Sequence, residues 1–114
     1  VRYHGALSME DKVRFLQNAK AVLLPFRSPG EVWSLIATEA LACNTPVYST
    51  DTGAMREIVL AGTGLRFRDT AEMATKARSY SDRRFTACRD TAKLRFDRIR
   101  NTHELSKICE RMMP

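Results

Sequence analysis

The sequence predicts an α/β fold, with a Rossmann-like parallel sheet followed by a helical C-terminal tail. Over roughly the first two-thirds of the chain, short apolar runs alternate with helical periods, and only a few residues connect them. That alternation is typical of right-handed βαβ units. The last third has helical patterns without strands between them. We therefore expect a single domain over 1–114, with an α/β region at 1–69 and a helical tail at 70–114.

The first elements are predicted from local signals. Val1–His4 has the pattern of the end of a strand, and a glycine turn follows it. Ser8 is a favourable N-cap for a helix that runs to about Asn18, and two acidic residues in its first turn suit the helix dipole. A short apolar strand is expected at Ala21–Leu24, where a proline ends it.

The middle of the chain continues the alternation. A polar loop at 26–30 leads into a helix at Trp33–Cys43, which has apolar residues on nearly every side. Such a composition predicts burial on most sides. The elements expected after this helix are a buried strand at Pro46–Ser49, a short helix at Gly53–Leu60 and a brief strand at Leu65–Arg68.

The C-terminal tail is basic and is predicted to hold helices at 70–79, 82–97 and 102–112. Residues 1–60 carry six Lys or Arg and six Asp or Glu, whereas residues 61–114 carry 13 and seven. We interpret the excess as a solvated helical face, with peripheral contact to an anionic membrane surface as the alternative. Because almost no aromatic residue lies among these cations, nucleic acid is not an expected partner.

Cysteine use and hydropathy indicate the compartment. Cys43, Cys88 and Cys109 show no metal-binding spacing, which indicates reduced thiols in a cytosolic protein. No apolar run is long enough to cross a membrane. We expect a cytoplasmic location, with the inner membrane face as a peripheral option. The chain begins without Met and its thin sheet leaves an exposed edge, so we expect it to be a piece of a longer protein.

Glu39 lies in the middle of the apolar helix predicted at Trp33–Cys43. A carboxylate in such surroundings is costly unless it is paired or faces a polar partner. Its helical neighbours cannot neutralise it, because they are Leu35, Ile36, Ala42 and Cys43. Glu39 is therefore expected either to pair with a cation from elsewhere in the fold, such as Arg56 or Arg66, or to face a ligand cleft.

The position of this helix favours the cleft. The loop before it follows the carboxyl end of a predicted parallel strand, where open α/β sheets bind ligands. Unpaired N–H groups at Trp33, Ser34 and Leu35 suit a phosphate. A diphosphate there has Glu31 on one side and Glu39 on the other. Carboxylates accept two donors from vicinal hydroxyls, so a sugar–diphosphate–ribose ligand fits this arrangement.

The sequence around these two glutamates resembles a known family. Glu31 and Glu39 have the spacing E-x7-E, and the segments EALACNTPV and GAMREIV follow in register. This combination is similar to the retaining GT-B glycosyltransferases of family 4, the glycosyl transferases group 1. The resemblance is close from Val1 to about Asp69 and loose in the tail. It implies that the chain is the C-terminal part of a nucleotide-sugar-binding domain.

The resemblance implies roles for individual residues. Glu31, as the catalytic residue, contacts hydroxyls of the donor sugar, while Glu39 binds the ribose hydroxyls. The backbone amides of Ser34 and Leu35 meet the sugar or the diphosphate. Leu7 lies where the family recognises the nucleobase. Trp33 is interpreted from the sequence as a core-packing residue and is also included in the donor-binding set, because it lies at the start of the helix. No cofactor or metal is expected, because basic residues and the helix N-terminus neutralise the diphosphate in this family.

The activity implied by the resemblance is transfer of a hexose from a nucleotide-diphosphate sugar to a hydroxyl of a glycan or lipid-linked acceptor, with retention. The acceptor domain and the family's diphosphate-clamping Arg and Lys are upstream of Val1 in that family. We therefore expect this chain alone to be incomplete as an enzyme. The alternative is a non-catalytic nucleotide-binding or interaction fragment, and a second rival is a basic module that binds nucleic acid through residues 76–111.

Overall fold

The computed structural model describes residues 1–27 and 33–113 and confirms the α/β fold. Three parallel strands form one sheet in the order β1-β2-β3, and helices connect and flank them. The central strand, β2, pairs with β1 on one side and with β3 on the other. The strands are β1 (Val22–Leu24), β2 (Val47–Thr50) and β3 (Gly64–Phe67).

The helices follow the sheet strands in the predicted alternation and then form the tail. Four of the helices begin with a side-chain cap. In each of them, the side-chain oxygen of the capping residue accepts a hydrogen bond from the N–H of the residue three positions later. Such a cap pairs an N–H that the start of a helix otherwise leaves without a partner. The capping residues are Ser8, Ser34, Asp69 and Asp97. The helices are α1 (Met9–Asn18), α2 (Leu35–Ala42), α3 (Met55–Ile58), α4 (Thr70–Lys76), a 3-10 helix (Ala77–Tyr80), α5 (Cys88–Arg95) and α6 (Arg98–Met112).

The core lies on both faces of the sheet. Val47 belongs to a cluster with Leu41 and residues of α3 and α5, whereas the next residue, Tyr48, belongs to a cluster with Phe67 and Met73. Successive residues of a strand point to opposite faces, so these clusters lie on opposite sides. All four residues of β2 are buried, as expected for a parallel strand with helices on both faces.

Three predicted elements are wrong in position. Val1–His4 has no regular structure and takes no part in the sheet of the described residues, because a strand needs the hydrogen bonds of a neighbour. The helix predicted at 82–97 begins only at Cys88, since Phe85 packs against both core clusters instead of continuing a helical turn. The last helix begins at Arg98, where the Asp97 side chain caps it.

Helix α2 is less buried than its composition predicts. Ala37, Ala40 and Leu41 are fully buried, whereas Leu35 is 70% exposed and Ala42 is also exposed. The small alanines let one face of the helix approach the sheet closely, and α5 packs alongside it. The prediction of burial on most sides is therefore wrong, and part of α2 faces solvent.

Helix α6 contributes nothing to the core, since no residue of it is buried. Its apolar side chains are exposed: Ile99, Leu105, Ile108 and Met112. The basic residues of this helix form a solvated face, as the sequence predicts. Within the described ranges, no helix combines the length and hydropathy that a membrane crossing requires.

Candidate functional site

The candidate site lies where β1 ends and α2 begins. β1 ends at Leu24, and α2 begins at Leu35 after its capping residue, Ser34. Because β1 and β2 are parallel, their carboxyl ends lie at the same edge of the sheet, where ligands bind in open α/β folds. Glu31, the predicted catalytic residue, is outside the described residues.

Ser34 is the N-cap residue of α2. It is 1% exposed, and its hydroxyl oxygen accepts the N–H of Ala37 at 3.3 Å. The Ser34 carbonyl oxygen accepts the N–H of Thr38, also at 3.3 Å. The N–H groups at the very start of a helix have no partner inside it. Backbone N–H groups, and not the Ser34 side chain, are therefore the donors that this end of α2 can offer to an anion.

Glu39 has a cationic partner that sequence reasoning missed. The Nζ atom of Lys12 lies 3.1 Å from Oε1 and 3.1 Å from Oε2 of Glu39. The partners considered from the sequence, Arg56 and Arg66, instead bond Oδ1 of Asp51, each at 3.2 Å. Lys12 lies on α1, 27 positions before Glu39. Helical spacing within α2 carries no signal of such a contact, because it reports only on residues three or four positions away.

The Glu39 carboxylate is paired and still accessible. The Glu39 side chain is 34% exposed, and that of Lys12 is 30% exposed. Because both side chains are partly exposed, the ion pair bears only part of the desolvation cost of a buried pair. Solvent also screens the attraction between the two charges. An ionised carboxylate has about four lone-pair positions, and Lys12 donates a hydrogen bond to Oε1 while its Nζ atom lies 3.1 Å from Oε2. Glu39 therefore retains acceptor capacity for two further donors.

A cavity of about 530 Å³, lined by three cations and by the carboxylate of Asp97, adjoins Glu39 on the α5 side of α2. Thr38 and Ala42 of α2 form one wall, and residues of α5 and the start of α6 form the other. None of its cations takes part in an ion pair among the residues that the structure describes. These cations are Arg89, Lys93 and Arg98. Because three cations outnumber the single carboxylate of Asp97, the wall opposite α2 carries an excess of positive charge beside Glu39.

Leu7 and Trp33 lie on opposite sides of α2. Leu7 lines a second cavity, of about 430 Å³, together with Lys12 and Ile36. Trp33 is 40% exposed and packs edge-to-face against Phe96, with ring centroids 5.7 Å apart. The structure thus brings Leu7 to the Lys12 side of the site and uses the Trp33 ring to join α2 to α5. Contact of either residue with a donor stays a prediction.

Glu39 also influences Cys43, one helical turn later. Burial raises the pKa of the Cys43 thiol, the Glu39 carboxylate raises it further, and Arg89 lowers it. A thiol with a raised pKa has less of the nucleophilic thiolate at neutral pH. These effects support the interpretation of Cys43 as a small packing residue. The described ranges contain no group of three or more His, Cys, Asp or Glu side chains suited to a metal ion.

Two buried hydroxyl groups, one near the end of β2 and one just after it, were not singled out from the sequence. Ser49 Oγ and Thr52 Oγ1 are buried and have no hydrogen-bond partner within the described part of the chain. Between them, the Thr50 hydroxyl donates to the carbonyl oxygen of Phe26 at 2.8 Å and so joins the ends of β2 and β1. The signal in the sequence is a cluster of small hydroxyl residues across the end of β2, at Ser49, Thr50 and Thr52.

Comparison with known proteins gives two matches. The model of the family described as glycosyl transferases group 1 matches residues 1–81. An uncharacterized glycosyltransferase of Methanocaldococcus jannaschii is 33% identical over 58 residues, which are 51% of this chain. The matched part is only 16% of that relative, so the chain spans a small fraction of its length. No solved structure matches the chain.

Proposed function

Because the chain belongs to the glycosyl transferases group 1 family, we propose that it forms part of the nucleotide-sugar-binding domain of a glycosyltransferase. The parent enzyme transfers a hexose from a nucleotide-diphosphate sugar to an acceptor hydroxyl, with retention of configuration. One observation carries the assignment of the site. An accessible carboxylate, Glu39, lies on the helix that begins at the carboxyl edge of a parallel sheet.

In this proposal the donor lies across the start of α2. Its diphosphate binds the backbone N–H groups of Ser34 and Leu35, where the helix dipole also favours negative charge. Glu39 accepts hydrogen bonds from the vicinal hydroxyls of the ribose, and Glu31 accepts them from the donor sugar. Leu7 contacts the nucleobase. The helix N-terminus and nearby cations offset the charge of the diphosphate without a metal ion.

The acceptor and the location belong to the same proposal. A glycan or lipid-linked acceptor binds a domain that precedes these residues in a longer protein, and this chain alone does not turn over. The enzyme works in the cytoplasm, with peripheral contact at the inner membrane face through its basic tail. Two features support that contact: the positive charge of residues 61–114 and the exposed apolar side chains of α6, such as Leu105 and Met112.

Amide NMR titration with UDP, GDP and ADP tests donor binding. We expect one nucleotide to cause saturable shifts at Leu7, Ser34, Leu35 and Glu39. Glu39→Gln should weaken its binding by about tenfold or more, the equivalent of one charged hydrogen bond. Glu57→Gln, which changes an exposed carboxylate on α3, is the matched control and should leave the affinity unchanged.

A folded chain without saturable shifts from any of the three nucleotides would contradict donor binding by these residues. Equal weakening by Glu39→Gln and Glu57→Gln would contradict the role of Glu39. The alternative of a non-catalytic nucleotide-binding fragment predicts the same titration. It differs in predicting no sugar transfer when the chain is joined to the acceptor domain of the parent enzyme.

A further inference from the structure

The ion pair between Lys12 and Glu39 lies inside the proposed donor site. We propose that Lys12 is a positioning residue for the nucleotide, because it orients the Glu39 carboxylate and offsets its charge beside the donor diphosphate. This inference rests on the proposed function. Neither the E-x7-E spacing nor the segments around it include Lys12, which belongs to α1.

Lys12 is well placed to hold the carboxylate. Its ammonium group donates a hydrogen bond to Oε1 of Glu39 and lies at the same distance, 3.1 Å, from Oε2. The helix that carries it is anchored one turn later by Leu16, which is 3% exposed. The Leu16 carbonyl oxygen also accepts a hydrogen bond from Thr45, which follows α2. The two helices are thus joined close to the ion pair, and the ammonium group approaches from a fixed side.

The pairing leaves room for a ribose. A vicinal diol presents two hydroxyl donors, and Glu39 keeps one free lone-pair position on each oxygen after binding Lys12. The carboxylate is 34% exposed, so these positions are accessible from solvent. Lys12 and the ribose can therefore bind Glu39 at the same time, with Lys12 on the α1 side.

Charge gives Lys12 a second effect. Leu35 and Glu39 are four residues apart, which is about 6 Å along a helix axis. This is less than the screening length of about 8 Å at physiological salt, so a diphosphate at the start of α2 is repelled by an uncompensated Glu39. The Lys12 cation opposes that repulsion. Loss of Lys12 should therefore weaken the binding of a nucleoside diphosphate more than the binding of the uncharged nucleoside.

Lys12→Met and Lys12→Arg test this role in the full chain. We expect Lys12→Met to reduce the affinity for the best-binding nucleoside diphosphate about tenfold. The affinity for the corresponding nucleoside should fall about threefold or less, and NMR titration measures both. Lys12→Arg keeps the charge and should restore the affinity to within about threefold of the unchanged chain. Lys20→Met is the matched control, since Lys20 is exposed and lines cavities that Glu39 does not line. An ion pair at this exposure contributes little to stability, so Lys12→Met should remain folded.

A readout without ligand separates this inference from the proposed function. In the ligand-free chain, the Hα–Hβ coupling constants of Glu39 should correspond to a single χ1 rotamer. In Lys12→Met, the same coupling constants should take the averaged values of a side chain that exchanges between rotamers. Averaged couplings in the unchanged chain, or equal or tighter nucleotide binding by Lys12→Met, would overturn the positioning role. A fixed Glu39 in a chain that binds no nucleotide would overturn donor binding itself, and the Lys12–Glu39 contact would be a structural ion pair only.

Discussion

The hydroxyl group of Thr45 donates a 2.6 Å hydrogen bond to the carbonyl oxygen of Leu16. Leu16 lies in the last turn of α1, where helix carbonyls lack partners, and its oxygen also accepts the N–H of Ala19. Both Thr45 and Leu16 are buried. The bond joins the end of α1 to the turn after α2, and these two helices carry Lys12 and Glu39.

Thr45→Val removes this bond and nearly preserves the shape of the side chain. We expect the free energy of unfolding to fall by about 1–2 kcal/mol, because a buried carbonyl loses a close donor. Urea denaturation followed by circular dichroism measures the change. Thr75→Val is the control, since the exposed Thr75 hydroxyl donates to carbonyl oxygens of its own helix. Equal losses in the two variants would show that the Thr45 bond makes no special contribution.

Gly64 permits the close pairing of β3 with β2. A Cβ atom at Gly64 would lie 1.8 Å from the carbonyl oxygen of Val47, so the two backbones would have to separate. Gly64→Ala should therefore reduce the free energy of unfolding by about 3 kcal/mol or more. For Gly62→Ala the nearest atom is the Cβ of Ala87 at 3.0 Å, and a smaller loss is expected. The midpoints of thermal unfolding of the two variants test this explanation. A larger drop in the midpoint for Gly62→Ala than for Gly64→Ala would contradict it.

Ser49 and Ser34 form a matched pair of buried hydroxyls. Ser34 Oγ caps α2, whereas Ser49 Oγ has no partner within the described part of the chain. Ser34→Ala should cost about 1 kcal/mol, the usual value of a lost N-cap. Ser49→Ala should be neutral or slightly stabilising, because it removes a buried group that has no hydrogen bond to the described residues. Urea denaturation compares them, and a clear loss for Ser49→Ala would mean that its hydroxyl has a partner.

The three thiols should react with iodoacetamide in the order of their exposure. Cys109 is exposed, Cys43 is half-buried and Cys88 is buried. Burial raises the pKa of both the Cys43 and the Cys88 thiol above its ordinary value, so near neutral pH these two residues hold less thiolate and alkylate more slowly. The rates of both should rise with pH, because a higher pH increases the thiolate fraction. Mass spectrometry of a labelling time course gives the order.

Glu39→Gln provides an internal check on the Cys43 rate. The Glu39 carboxylate is one cause of the raised Cys43 pKa, so its removal should lower that pKa and speed alkylation of Cys43. The Cys88 rate should not change, because burial is what raises its pKa. Acceleration of both thiols would instead indicate general loosening of the fold.

Local signals in the sequence determined most of the secondary structure. Ser8 caps α1 as predicted, and the three strands lie within a residue or two of their predicted positions. Short apolar runs, prolines and capping residues act over a few positions, so they can be interpreted without knowing the fold. The motif around Glu39 likewise indicated the family, which the match over residues 1–81 confirms.

Only the tertiary structure decided which residues meet across the fold. The Lys12–Glu39 pair, the Trp33–Phe96 contact and the path of residues 81–87 depend on how separate helices pack. The same holds for the predicted strand at Val1–His4, because a strand exists only with a hydrogen-bonded neighbour. Periodicity reports which face of an element is apolar, but the partner of that face is chosen by packing between segments far apart in the chain.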